Sequence, residues 1–302
     1  VISIPDSTFP IIGTIIGGFI FGIGIVLAGG CATGTWYRAG EGLIGSWIAL
    51  VLYAVTAAIT KTGILLPVMT WINKPTNINA NMSQTTGIPM WVFTLVLTII
   101  TIIFVTKTLR KPKPKFAVPK LKQKYSGLRH YLFEKRYHPF VAGIAVGLIA
   151  LIAWPMSIST GRDYGLGITT PSANLITFLI TGDTKLIDWG VLLILGIFLG
   201  SYIAAKGSRE FKWRLPDKKT IRNSAIGGIC MGFGASVAGG CSIGNGLVET
   251  AIMSWKGWIA LGSMILGVWF MSYFIFIRPM KKLEKQTSKS QATTATKQVQ
   301  TT

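Results

Sequence analysis

Apolar residues in this chain come in long runs separated by short polar stretches, and several runs approach the ~20 residues a helix needs to cross a ~30 Å hydrocarbon core. The clearest are Ile11 to Leu27, Leu43 to Ile59, Ile88 to Val105, Phe140 to Ile158, Trp189 to Ala205, Ile226 to Ala238 and Trp258 to Ile277. Ile64 to Ile72 and Ala173 to Ile180 are too short to span and predict half-helices or interfacial segments. Half of the residues are hydrophobic and 13% are charged. The pattern predicts an all-α integral membrane protein with about seven to nine spans.

Two of these runs are copies of each other. Gly17 to Gly34 reads GGFIFGIGIVLAGGCATG and Gly227 to Gly244 reads GGICMGFGASVAGGCSIG, 210 residues apart. Nine of the eighteen aligned positions are identical, eight of them glycine or alanine and the ninth the pair Cys31 and Cys241. A repeat built on a broken helix is the best sequence pointer to a transporter's substrate site. Each interior glycine costs ~1 kcal/mol of helix relative to alanine, so helix breaks are predicted at Gly29 and Gly30 and again at Gly239 and Gly240. Broken backbone at membrane depth persists only where it lines a cavity or is buried in protein. A half-helix starting after the break would place Cys31 near an N-terminus, a setting suited to a small anion. Cys241 would present the same arrangement from the opposite side.

Charge placement fixes the topology. The net charge of +20 would suggest nucleic acid in a soluble protein, but 24 of the 30 basic residues fall in three blocks, Lys107 to Arg136, Lys206 to Arg222 and Arg278 to Lys297. Each flanks a span, as cytoplasmic loops do under the positive-inside rule, and nucleic-acid binding is excluded. Walking the chain from these blocks runs Ile11 to Gly34 inward and Ile226 to Gly244 outward, which is the inverted-topology repeat of a transporter. The expected division is residues 1–106 as a first membrane repeat, 107–138 as a basic cytoplasmic linker, 139–278 as a second membrane repeat and 279–302 as a disordered cytoplasmic tail. The symmetry also predicts that the first repeat is incomplete at its N-terminus, because the partner of the segment before the second copy would fall before residue 1.

The chemistry rests on a short set of side chains. The Cys31 and Cys241 thiols are soft, weak hydrogen-bond donors that can contact a sulfur or selenium atom without a full charge that would trap it. Close helix packing by glycine and a small buried cysteine is the alternative for either copy alone. Arg38, seven residues beyond Cys31, either draws an anion inward or pairs with Glu41 to fix the loop. Glu249, eight residues beyond Cys241, either serves the pathway or reaches the outer interface. Cys230 matches Ile20 and reads as structural. Arg162, in the polar stretch Ser159 to Asn174, either recruits anions or belongs to a plain connection. Trp36, Trp47, Trp255 and Trp258 read as interface anchors. No cofactor or metal is implied, since His130 and His138 lie far from both cysteines in the sequence. Without a P-loop there is no ATP machinery. A membrane thiol oxidoreductase or sulfurtransferase using the two cysteines is the enzymatic alternative, but no C-x-x-C pair is present.

Taken together, GIGIVLAGGCATGTWYRAGEG at Gly22 to Gly42, GFGASVAGGCSIG at Gly232 to Gly244, and the GRDYGLG and TPSAN stretches between them resemble the YeeE/YedE family of bacterial inner-membrane sulfur-compound transporters. The resemblance implies inverted repeats with short re-entrant helices and import of a small sulfur-containing anion, thiosulfate being the best case. Selenium compounds are the alternative within the family. It further implies that Cys31 and Cys241 line a central constriction and touch the ion through transient S–H hydrogen bonds. A multi-pass place in the inner (plasma) membrane with a cytoplasmic C-terminus, and a small cytoplasmic sulfur carrier of the TusA type as partner, follow as expectations.

Overall fold

The computed structural model describes residues 8–74, 81–110, 130, 137–161 and 164–281. Among them the chain is helical throughout, with no strand: α1 (Ile11–Ala28), α2 (Ala32–Gly40), α3 (Ile44–Thr62), α4 (Leu66–Ile72), α5 (Met82–Thr86), α6 (Met90–Arg110), α7 (Pro139–Ser159), α8 (Thr169–Thr181), α9 (Trp189–Gly207), α10 (Lys218–Val237) and α11 (Trp255–Ser272). A 3-10 turn, Thr184–Leu186, and two π-helical segments, Gly244–Glu249 and Tyr273–Ile277, complete the order.

Six helical stretches among the described residues are long and apolar enough to cross a bilayer, against the seven to nine spans expected. The run Ile226 to Ala238 lies inside α10, which begins earlier at Lys218, so Lys218, Lys219 and Arg222 give this helix a charged first half. The short piece expected at Ala173 to Ile180 is also longer at its start, since α8 begins at Thr169.

Glycine decides how the central helices pack. A Cβ on Gly17 would lie 2.4 Å from the Ala238 amide nitrogen, and one on Gly227 would lie 2.5 Å from that of Ala28. Gly24 and Gly234 make the matching approaches to Gly227 and Gly17, so contacts climb α1 as they descend α10. The two copies therefore cross antiparallel, backbone against backbone, as small residues allow in membrane interiors. On the outer flank of each, Gly22 abuts the Met264 carbonyl of α11 and Gly232 the Tyr53 carbonyl of α3. The result is a row, α11, α1, α10, α3, with a pseudo-two-fold axis between α1 and α10. The repeats interlock in this row, because each glycine-rich helix packs mainly against helices of the other repeat.

The remaining helices surround the row unevenly. α2 and α8 pack on α3, and α9 packs on α2. α6 buries no residue and α7 buries only Ala153 and Ser157, so both present apolar side chains to the lipid that their composition requires.

Candidate functional site

Both glycine-rich helices end in the same way. Gly29 has φ of 74° and Gly239 has φ of 71°, a left-handed conformation that glycine adopts without a Cβ penalty. The Gly29 and Gly30 amides donate to the Val26 and Ile25 carbonyls, and the Gly239 and Gly240 amides donate to those of Ser236 and Ala235. This is the double-bonded Schellman termination. It satisfies the last carbonyls of each helix and turns the chain sharply, so the breaks expected at these four glycines are where the helices stop.

The cysteines follow directly. Cys31 is extended at the N-cap of α2 and half-buried, and its carbonyl accepts from the Thr35 amide at 2.9 Å. Cys241 is 1% exposed, and its carbonyl accepts from the Asn245 amide at 2.9 Å. All three cysteines are free thiols. Tyr53, fully buried on α3, shares the apolar core with Cys241 and with Ala32, the residue after Cys31. Its hydroxyl is bonded to Thr169 Oγ1 at 2.8 Å, and the neighbouring Trp36 indole donates to Ser172 Oγ at 3.0 Å.

Those two bonds change the reading of Ser159 to Asn174. The end of that stretch forms the buried first turn of α8, with Thr169, Pro171, Ser172 and Ala173 packed at the site. Trp36 is 6% exposed and sits in the core, so the interface-anchor reading is corrected there: its indole finds a partner inside the protein. Arg162 lies outside the described residues.

Each break has a cation over it. The Arg38 guanidinium donates to the Gly29 carbonyl and would stand 3.2 Å from a Cβ on Gly30. Its Nε also bonds the Tyr37 hydroxyl at 3.2 Å. Glu41 is the C-cap of α2 and forms no ion pair with Arg38. Over the second break the cation is Lys256, whose ammonium would be 3.1 Å from a Cβ on Gly239. Lys256 donates to Glu249 Oε1 at 3.2 Å. The Tyr164 hydroxyl stands 3.2 Å from the same oxygen and 3.0 Å from the Gly244 carbonyl. Cys230 is half-buried on α10, away from the breaks.

Asn245 completes the second element. Its amide nitrogen donates to the Ala238 and Gly240 carbonyls at 3.2 and 2.9 Å, and it is wholly buried. Tyr53, Tyr164, Asn245 and Lys256 were not singled out by sequence reasoning. A signal existed for Lys256: it and Glu249 are the only charged residues between Arg222 and Arg278. Among the described residues no group of three His, Cys, Asp or Glu side chains is close enough to hold a metal ion.

The chain is 54% identical over 282 residues to the thiosulfate transporter TsuA of Escherichia coli strain K12, an alignment covering 93% of this chain and 80% of that protein. It is 34% identical over 284 residues to the thiosulfate transporter TsuA of Spirochaeta thermophila, covering 89% of this chain and 79% of that one. The model of the sulphur transport family matches residues 1–270. With a family match over most of its length and a multi-pass helical architecture, this chain belongs to the sulphur transport family of membrane transporters.

Proposed function

We propose that the protein imports thiosulfate across the bacterial inner membrane along a pathway between the two glycine breaks, with Cys31 and Cys241 as its paired contacts. The observation that carries the reading is the recurrence of one device in two antiparallel copies: a Schellman-terminated helix, a thiol and an overlying cation. The 54% identity to a thiosulfate transporter supports the choice of ion. Loop and C-terminal blocks rich in Lys and Arg support a cytoplasmic face at the α9–α10 connection and at the chain's C-terminus.

In this mechanism the anion meets dipoles and soft donors in turn. Each thiol donates one weak S–H hydrogen bond, so neither holds the ion for long, as a conducting pathway requires. Arg38 at the inner break draws the ion off Cys31 toward the basic face. A dianion entering against an inside-negative potential faces roughly 4.6 kcal/mol at 100 mV, from ~2.3 per charge. Net import therefore requires consumption inside or a coupled ion. A small cytoplasmic sulfur carrier taking up the product is the partner this reading implies.

The test is thiosulfate-dependent growth of a bacterium lacking its own thiosulfate uptake, comparing the native chain with Cys31→Ala and Cys241→Ala at matched membrane abundance. Growth supported by the native chain and abolished in both variants is expected. Equal growth of all three removes the thiols from the mechanism.

A further inference from the structure

The two breaks are alike in backbone and differ in how their cation is partnered, and a single inserted residue hides the correspondence in the sequence. Up to the breaks the repeats align with an offset of 210, Gly29 with Gly239. Beyond them the offset is 211. The Leu43 amide donates to the Arg38 carbonyl and, 211 residues on, the Ser254 amide donates to that of Glu249. Gly42 and Met253, the pair that follows from the same offset, both have positive φ, 94° and 53°. The extra residue lies in the π-helical segment Gly244–Glu249, which replaces the regular turns of α2. Single-turn π segments of this kind are frequent at functional sites.

At the position of Arg38 the second repeat thus carries Glu249. Its cation comes instead from Lys256, on the first turn of α11. Gly257 beside it allows the close approach, since a Cβ there would lie 2.6 Å from Glu249 Cβ. The pair is mostly withdrawn from solvent, with side-chain exposures of 19% for Lys256 and 10% for Glu249. At that depth a charge pair is screened little.

We propose that Glu249 and Lys256 form an anion-exchange latch at the second break, in which the Glu249 carboxylate occupies Lys256 at rest and a small divalent oxyanion displaces it in passing. The inference rests on the anion-pathway reading of the same site. Lys256 is the anion-contacting residue of the second break, and Glu249 sets its affinity by competition. Among the described residues the first break has no such competitor, because Arg38 faces a backbone carbonyl and no carboxylate. An ion therefore meets a masked cation at one break and an unmasked one at the other.

The latch makes the two halves of one ion pair act in opposite directions, which a structural brace does not. The experiment measures thermal unfolding of the purified full chain in detergent against thiosulfate and against sulfate, for native, Glu249→Gln, Lys256→Gln and Lys256→Arg, together with labelled thiosulfate uptake in proteoliposomes. Glu249→Gln is expected to lower the half-saturating anion concentration by roughly three- to tenfold, and Lys256→Gln to raise it by a similar factor, at ~1.4 kcal/mol per tenfold. Lys256→Arg keeps the charge and stays nearer the native value. The proposal is overturned if both glutamine variants shift in one direction, or if both leave half-saturation unchanged and only lower the unfolding temperature. It is equally overturned if neither the native chain nor Glu249→Gln responds to either anion. Where Glu249→Gln yields no folded protein, an unchanged half-saturation in Lys256→Gln sinks it alone. Absence of thiosulfate uptake with the opposite shifts preserved for sulfate overturns the choice of thiosulfate and leaves the latch standing. Uptake without the opposite shifts overturns only the latch.

Discussion

The thiol after α1 is half-buried and the thiol after α10 is buried, although one backbone motif makes both breaks. Cys31 is half-buried, as is Arg38 over the same break, and a regular helix follows it. Cys241 is 1% exposed within the apolar core that also holds Tyr53 and Ile168, and the turn that follows it carries Asn245 and Glu249, the latter paired with Lys256. Symmetry of the glycines therefore sets where the chain turns, while side chains outside the repeat set what an ion would meet there. A pathway with identical ends has no reason to prefer one direction of binding. Divergence of the closing residues supplies that difference without disturbing the packing that both copies share.

If packing is the shared part, damage to it should be equal in the two copies and larger than any other effect. Gly17→Val and Gly227→Val each drive a branched side chain into a backbone nitrogen 2.4 or 2.5 Å from the new Cβ. No side-chain rotation relieves a clash with backbone, so each should cost more than the ~1–3 kcal/mol usual for overpacking. The expected result is loss of monodisperse protein on detergent extraction for both. Gly143→Val on α7, where a Cβ meets nothing within 4 Å, should extract normally. Tolerance at only one of Gly17 and Gly227 would show that the crossing is not symmetric.

The closing residues should instead respond unequally. Asn245→Ala removes two hydrogen bonds to carbonyls at a fully buried turn, and unpaired buried polar groups cost ~1–3 kcal/mol each. Its counterpart Thr35 bonds only the Ala32 carbonyl within its own helix, so Thr35→Ala should cost no more than about 1 kcal/mol. Thermal unfolding of the two variants compares them directly. Equal losses would mean that Asn245 is no more a clamp than Thr35.

Much of this was legible in the chain because glycine and charge leave marks that survive divergence. The paired GGC elements located both breaks, and the opposite orientations of the copies followed from where Lys and Arg collect. What was hidden is instructive. The inserted residue of the π segment falls after Gly244, where the repeat identities end, so no alignment by eye places Glu249 opposite Arg38. Tyr53 reads as one more aromatic in an apolar run, and only the packing of α3 on α10 brings it into the core that holds Cys241. The first turn of α8 looked like a connection because Thr169 and Ser172 are polar. Their hydroxyls are buried because Tyr53 and Trp36 supply the partners, and a partner 116 or 136 residues away has no local signature.

The smallest expected difference lies at the starts of the paired helices. α1 begins at Pro10, whose carbonyl accepts from the Thr14 hydroxyl at 2.7 Å, and no titrating group takes part. α10 begins at Asp217, whose carboxylate accepts from the Thr220 hydroxyl, and this bond chiefly holds the acid below its ordinary 3.8. A carboxylate depressed on folding stabilises the folded chain above its unfolded pKa, and that contribution is lost as pH falls through the lower folded value. Because Asp217 is fully exposed, solvent screens the effect and it should be slight. Thr220→Val should return the carboxyl toward its ordinary range, a change that carbon-13 NMR of labelled aspartate would follow. It should also flatten the small loss of unfolding temperature expected as pH falls below about 4. Thr14→Val at the start of α1 should leave that acid slope unchanged. An acid slope that Thr220→Val does not alter would place the titration elsewhere and leave the two helix starts equivalent.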